Sequence, residues 1–569
     1  METSPPQAAW RDLGVALLLA VVLSLAWTLR DWQDLAALRL PDTDDMVRLQ
    51  QVRDWLGGQG FADLAQHRLG PAPGLEMHWS RLADLVPAGL ILLLTPLLGG
   101  HGAELAAVLL SPALLFFAAL LLTGAIARRL GAPSATAILL AGLAYPAISL
   151  FMPGRIDHHA LQMVLLLLLV RALLGPGTLR AGIVAALAVT ASLVIGLETL
   201  PLLGVAGLAL VLLWVLGRPG SLDRLAGFGF ALPIALAGAG ALFRTSGWDV
   251  AACDGFTGLA WRAAECASLA PLAMALFGLA DRRSPRARAI AAAIAGGIAG
   301  VAVLLLAPQC LNPYGTVDPV LARIWLAEVG EAQPLFAAPP ANALAYAGLA
   351  LVGLAASLAI TRRHREAGWW ILASLQAVAL AVTLLQLRGA YPAALLSAPA
   401  LAVMIAAARA RNALVLAGAW IAATGILYPI AASNLFRSGG ESGPSCTGPD
   451  SLARLAALPP GHLLAPFDLG AYALAATPHE VLAAPYHRNN RGNRAMTDFF
   501  TGSPAQSEAI ARQWGIDYVA FCPGDLDPFV KAAPHGLAEA LRAGTVPDWL
   551  VPVRSDGAPL HLYRLAPRH

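Results

Sequence analysis

The stretch Met152-Pro-Gly-Arg-Ile-Asp-His-His-Ala160 places Arg155, Asp157, His158 and His159 between two long apolar runs, 135–151 and 160–170. Charge at the edge of a bilayer is costly to desolvate, so an ionisable cluster there marks a functional site by default. A carboxylate and an imidazole two residues apart can both reach one divalent cation where the backbone is not helical. The rest of the sequence is read by what it adds to this cluster.

Of the 569 residues, 57% are hydrophobic and 13% are charged. A soluble domain carries about 25% charged residues, so the composition predicts a polytopic membrane protein. The net charge of +3 gives no footprint for nucleic acid, and five cysteines without a CxxC spacing argue against a thiolate zinc site. Cys253, Cys266, Cys310, Cys446 and Cys522 can form disulfides in an oxidising compartment, with the pairing left open.

The first apolar run, 13–29, has no cleavage site after it and reads as an uncleaved first span. A polar segment, 30–84, follows with Asp42-Thr-Asp-Asp45, Arg48 and Met77-His-Trp-Ser-Arg81. A loop this long is functional or disordered, and its Trp residues with the amphipathic stretch 46–56 predict order. The run 85–98 is short for a span and reads as re-entrant or interfacial. Twelve further runs, at 104–127, 134–152, 159–177, 181–198, 200–217, 225–243, 264–280, 287–307, 340–360, 367–386, 390–408 and 412–433, bring the total to about thirteen spans.

Arginines collect at alternate loops, at Arg128-Arg129, Arg180, Arg218 with Arg224, Arg282-Arg283, Arg362-Arg363 and Arg409 with Arg411. Such loops belong on the cytoplasmic side. The other set then faces outward, and it holds the Asp42 loop, 154–159, 244–263, 307–339, 387–391 and everything after 435. The assignment requires that 85–98 does not cross. From 438 onward no run can span; 481–485 and 518–522 read as short buried strands and 508–513 as helix. The expected architecture is an all-α polytopic membrane domain, 1–435, followed by a small α/β extracytoplasmic domain, 438–569.

Four constellations fall on the outer face. Asp42, Asp44 and Asp45 repel one another unless solvated, paired or metal-bound, although Asp is also favoured at a helix start. Asp157 and His159, beside Arg155, form the second. Glu328 and Glu331, in Ala327-Glu-Val-Gly-Glu-Ala-Gln-Pro334, can close over a site or sit in solvent. Arg388, in Leu387-Arg-Gly-Ala-Tyr391, offers a planar fork to a phosphate or an anchor to the interface.

In this order the motifs resemble the catalytic subunit of oligosaccharyltransferase and its single-subunit bacterial and archaeal counterparts, which are C-type membrane glycosyltransferases. Asp42–Asp45 matches the family's first acidic motif, and Gly154-Arg-Ile-Asp-His-His159 resembles its second. Val329-Gly-Glu-Ala-Gln-Pro334 resembles the signature of the movable outer loop, and Arg388 with Tyr391 the group that meets the lipid-linked phosphate. The family's acceptor signature, Trp-Trp-Asp-Tyr-Gly, has its nearest counterpart in Ala465-Pro-Phe-Asp-Leu-Gly470, where Asp468 and Gly470 stand without both Trp and the Tyr.

The resemblance implies transfer of a sugar or glycan from a polyprenyl phosphate or pyrophosphate. The acceptor, on the periplasmic face of a bacterial inner membrane, is open among protein, lipid and polysaccharide. It implies Mg²⁺ or Mn²⁺ held by Asp44, Asp157, His159 and Glu331, with Asp42, Asp44, Asp45 and Glu331 as catalytic carboxylates. Arg388, Arg155 and Tyr391 would meet the lipid phosphate, and Asp468 the acceptor. A transporter or flippase of lipid-linked glycans is the reading from another class, and it requires charges near the bilayer midplane.

Overall fold

The computed structural model describes residues 6–280, 284–312, 315–436, 446–553 and 559–567; Arg282-Arg283 and the expected boundary at 438 lie outside them. Among the described residues, eight helices are long and apolar enough to cross a bilayer. A ninth span is formed if Ala413–Ala423 and Leu427–Leu435, which meet at 83°, count as one. Three further apolar helices, His159–Leu173, Leu179–Ile195 and Leu200–Val215, have only 15 to 17 residues. At 1.5 Å per residue each falls short of a hydrocarbon core of about 30 Å. All three border the site described below.

The protein is thus a multi-pass membrane protein with a helical body. Its centre is Ala390–Arg409, most of whose side chains are buried among alanines and leucines of the surrounding helices. Small residues let the helices approach: a Cβ on Gly353 would lie 1.9 Å from Ser397 Oγ. At the periphery, Pro285–Leu306 has no buried residue and turns Ile290, Ile294 and Ile298 outward, as expected of a surface solvated by lipid.

Two sequence expectations change in form. The run 134–152 is not one helix: Ser134–Ala141 ends at Gly142, whose Cβ position is 2.4 Å from Leu19, and the chain continues through Pro146 to a single 3₁₀ turn, Ala147–Phe151. The run 85–98 belongs to Arg81–Arg129, which breaks at Gly99, where φ is 71°. Ala88 and Ile91 share an apolar cluster with Ala103 and Ala107, so the two arms fold against each other. Asp84 bonds Arg48 while Val108 O accepts the Gly154 amide, which returns both arms to the level of residues 154–157. Residues 84–108 form a hairpin that starts and ends beside residues 154–157.

The C-terminal region forms a five-stranded sheet in the order Glu480–Val481, His462–Leu464, Tyr518–Phe521, His561–Leu565, Leu550–Pro552. The first three strands are parallel and the last two pairings antiparallel. The expected strand 481–485 is shorter, and the expected helix 508–513 lies within Pro504–Gln513. Cys446 is bonded to Cys522 and Cys253 to Cys310, while Cys266 is free. This region shares one apolar core with the long polar segment, in which Met46, Val47 and Leu49 pack with Leu469, Tyr472 and Ala473. Arg53 and Arg68 donate to the carbonyls of Ala475, Thr477 and Leu474, and Tyr472 Oη donates to Leu40 O.

Candidate active site

Asp42 caps the helix Thr43–Leu56 by accepting the Asp44 amide at 3.1 Å. The cap fixes the phase of the first turn. Asp45 and Arg48, three residues apart, share the face turned toward residues 154–158, and Asp44 points elsewhere, into the cavity. Gly154 has φ 87° and its Cβ position is 2.7 Å from Pro41 Cδ, so the turn there requires glycine. Asp45 Oδ1 then accepts both the Ile156 and the Asp157 amides at 2.8 Å, and its Oδ2 lies 3.1 Å from Arg155 Nη1. The same Arg155 nitrogen is 2.7 Å from Asp42 Oδ2.

Asp45 is fully buried, with its oxygens engaged by two amides and Arg155, so it braces the second motif. Arg155 pairs with Asp42 and Asp45 and lines the cavity beside them.

Arg48, also fully buried, joins the segments. Its guanidinium lies 4.4 Å over the Trp79 ring and donates to Asp84 at 2.8 Å and to Asp157 at 3.1 Å. Asp157 accepts His158 Nδ1 at 2.6 Å through one oxygen and His159 Nδ1 through the other. His158 Nε2 continues to Glu198 Oε1 at 3.3 Å, and Glu198 accepts Gln162 Nε2 at 2.7 Å. Among the described residues the carboxylates Asp42, Asp44, Asp45, Asp84, Asp157, Glu198 and Glu331 outnumber the arginines paired with them, Arg48, Arg81, Arg155 and Arg388, and Asp157 and Glu198 also face His158.

That negative excess moves the titrations. Burial, then Asp157, Asp42 and Glu331, push the Asp44 carboxyl well above the usual range. Burial alone would lower His158, but Asp157 and Glu198 at its two nitrogens lift it to about 10. Burial likewise opposes ionisation of Asp157 and Glu198, and the imidazoles beside them outweigh it, holding both carboxylates below their ordinary values.

The outer loop closes one side. Glu331, in the turn Gly330–Ala332, lies 3.2 Å from Arg388 Nη2, and the Leu387 amide donates to Gln333 O. Tyr391 sits 6.4 Å from the His159 ring and 6.2 Å from Tyr346. A cavity of about 1610 Å³ is lined by Asp44, Asp157, His158, His159, Glu331 and Arg388. It opens between the helices into an apolar chamber walled by Leu193, Leu203, Leu210, Phe228, Leu236 and Met274. Outward it reaches Trp325, Phe467 and Asp468, where the loop meets the C-terminal region.

The side chains suit a divalent cation. Asp157, His158 and His159 bring ligand atoms within 4.8 Å of one another. His159 donates Nδ1 to Asp157, which fixes its tautomer and leaves Nε2 as a buried atom with no hydrogen-bond partner. A carboxylate that orients a histidine with its second nitrogen vacant is a common metal-ligand arrangement. Asp44 and Glu331 add hard oxygens to the same cavity.

The sequence placed His158 in the opening cluster without a role of its own, and it did not pick out Glu198 or Tyr486, whose ring lines the cavity. His158 has the same residue type and place as its neighbour, and only its ring contacts separate their roles. Glu198 did carry a signal: it is the one carboxylate between Arg180 and Asp223, in the break Gly196-Leu-Glu-Thr-Leu-Pro201 between two apolar runs.

No protein-family model matches the sequence, and no curated protein matches it. Solved structures of the Archaeoglobus fulgidus oligosaccharyltransferase do superpose on it. The one tethered with an acceptor peptide containing the NVT sequon has a TM-score of 0.66 at 14% identity, over 98% of this chain and 74% of that one. That of AglB in complex with an inhibitory peptide and a dolichol-phosphate has a TM-score of 0.65 at 14% identity, over the same shares. That in complex with Zn and sulfate has a TM-score of 0.60 at 14% identity, over 97% of this chain and 73% of that one. At this identity the likeness establishes the fold alone, the one seen in the archaeal oligosaccharyltransferase.

Proposed function

We propose that the protein is a membrane glycosyltransferase that moves a sugar or glycan from a polyprenyl phosphate or pyrophosphate to an acceptor on the outer face of the membrane. One observation carries this reading. Acidic, imidazole and guanidinium groups from five distant segments line a single cavity that continues into an apolar chamber between the helices. A lipid tail suits the chamber and its phosphate suits Arg388. The dolichol-phosphate bound by the archaeal enzyme of the same fold supports a donor of that class.

In this reading a divalent cation such as Mg²⁺ or Mn²⁺ would be held by Asp44, His159 and Glu331, with Asp157 orienting His159, and would supply Lewis-acid stabilisation of the leaving phosphate. The protein groups do the rest. Asp44 receives the acceptor's proton as the acceptor forms its bond to the anomeric carbon. The electron pair of the breaking carbon–oxygen bond leaves on the phosphate, against the Arg388 guanidinium, with Tyr391 as a second donor. Asp42, Asp45, Arg48 and Arg155 hold the acidic loop against the helix Thr43–Leu56. Asp468 faces the acceptor.

A lipid or polysaccharide acceptor is favoured over an Asn-bearing peptide by the helix Phe467–Ala476. It begins with Phe467 and Asp468 at the cavity, where the peptide-reading Trp pair of the family would stand. A transporter is disfavoured because the carboxylates gather at one end of the helical body.

The test is transfer from radiolabelled polyprenyl-linked sugars by the full chain in nanodiscs. Asp44→Asn is expected to lower turnover at least 100-fold with the protein still folded, and chelator to do the same. Full activity in Asp44→Asn would exclude the assigned base.

A further inference from the structure

The segment Met77-His-Trp-Ser-Arg81 enters the site in two ways already described, Trp79 beneath Arg48 and Arg81 beside Asp84. His78 does neither. Its ring sits 4.9 Å from His487, 5.7 Å from Trp79 and 6.5 Å from Tyr486, and it lines the cavity. Nδ1 is buried without a hydrogen-bond partner, and among the described residues nothing bonds Nε2.

Its surroundings are fully engaged. Asp254 receives Arg488 at 2.6 Å on one oxygen and His487 Nε2 at 2.6 Å on the other. Cys253, next in the chain, is bonded to Cys310. Asp254 belongs to the outward connection between Ser221–Leu242 and Gly258–Ala280, the helices that supply Phe228, Leu236 and Met274 to the apolar chamber. His78 therefore lies under a fixed roof at the outer end of that chamber. Trp325, Phe467 and Asp468 line the other outward arm, between the loop and the C-terminal region. A group joined to a phosphate at Arg388, with its lipid in the chamber, would extend beneath this roof.

Burial, with His487 and Arg488 adding to it, keeps the His78 pKa well below that of a free histidine. A neutral imidazole adds no charge for a phosphate. It presents one donor and one acceptor, which is what a sugar hydroxyl also presents.

We propose that His78 determines donor specificity by hydrogen-bonding a hydroxyl group of the sugar carried on the lipid phosphate. The proposal rests on the reading of the cavity as a lipid-linked donor site. Asp254, His487 and Arg488 are positioning residues that hold the roof, and His78 makes the contact.

The test uses the full chain in nanodiscs and four synthetic probes: farnesyl phosphate, and farnesyl phosphate carrying glucose, arabinose or N-acetylglucosamine. The wild type is expected to bind at least one sugar-bearing probe more tightly than farnesyl phosphate. His78→Ala should erase that gain, about 3- to 10-fold for one neutral hydrogen bond, and leave farnesyl phosphate binding unchanged. His78→Gln, which keeps a donor and an acceptor, should restore part of it. A gain that persists in His78→Ala, or no gain for any sugar, overturns the proposal. Weaker farnesyl phosphate binding in His78→Ala overturns it too, by assigning the ring a structural role. Failure of the wild type to bind farnesyl phosphate refutes the donor-site reading itself.

Discussion

Replacing Asp45 separates a brace from a catalyst. Its Oδ1 holds two amides at 2.8 Å and its Oδ2 holds Arg155 at 3.1 Å, all in a buried setting. Burial pushes the Asp45 carboxyl up to about 7, so at neutral pH it is only partly ionised. A hydrogen bond is worth about 0.5–1.5 kcal/mol to a neutral acceptor and about 1.5–3 to a charged one, so Asp45→Ala removes about 1–6 kcal/mol of local interaction before the loop relaxes. Asp45→Asn keeps a carbonyl for both amides and loses only the charge, about half as much. The amides belong to Ile156 and Asp157, so the loop that shifts is the one carrying His158 and His159. A misplacement of about 1 Å there costs about 100-fold in rate. Scanning fluorimetry in detergent should therefore show a lowered Tm for Asp45→Ala, a smaller drop for Asp45→Asn, and transfer lost in parallel. Asp44→Asn is the contrast. Its carboxyl is already disfavoured as an anion by burial and three neighbouring carboxylates, so removing the charge should hold or raise Tm while abolishing transfer. An Asp45→Ala protein with wild-type Tm and full activity would refute the bracing role.

Three further outcomes are expected. In chelator, His158 with its pKa lifted from 6.5 to about 10 contributes stability that is complete below pH 6.5 and is lost as pH rises through 10. The ceiling over that window is about 5 kcal/mol, so Tm should fall between pH 7 and 10, and His158→Gln should flatten the fall. His159→Ala removes the imidazole with the vacant Nε2, and Mn²⁺ affinity measured by electron paramagnetic resonance should drop at least 10-fold, whatever the activity. Cys446→Ser opens a bridge across 76 residues and should lower Tm by the loss of about 2–4 kcal/mol, visible as protease cleavage of the C-terminal region, whereas Cys266→Ser should change neither.

Much of the frame was legible in the sequence. Low charge density and the apolar runs specified a polytopic helical body, and the arginine-bearing loops put every acidic motif on one face. The sequence read 85–98 as a re-entrant or interfacial segment, too short to cross and in conflict with the loop charges if it did, while the fold back at Gly99 came only from the structure. The break after Ser134–Ala141 was not legible either. Its apolar composition is that of a helix, and only the close approach of Leu19 to Gly142 and the course through Pro146 show why the helix ends there.

The sequence by itself indicated that carboxylates, histidines and an arginine meet at one end of the helices, because charge cannot be left unpaired in hydrocarbon and must gather where it finds partners. What each of them does was decided by the tertiary structure. Asp44 and Asp45 are adjacent and chemically identical, yet the turn of one helix points the second at amides 111 and 112 residues away and the first into the cavity. Arg155 met Asp42 and Asp45, and Glu198 reached His158 from 40 residues along the chain. Whether a buried charge is open or engaged depends on which distant group comes within about 3 Å of it, and only the packing of the helices sets that distance.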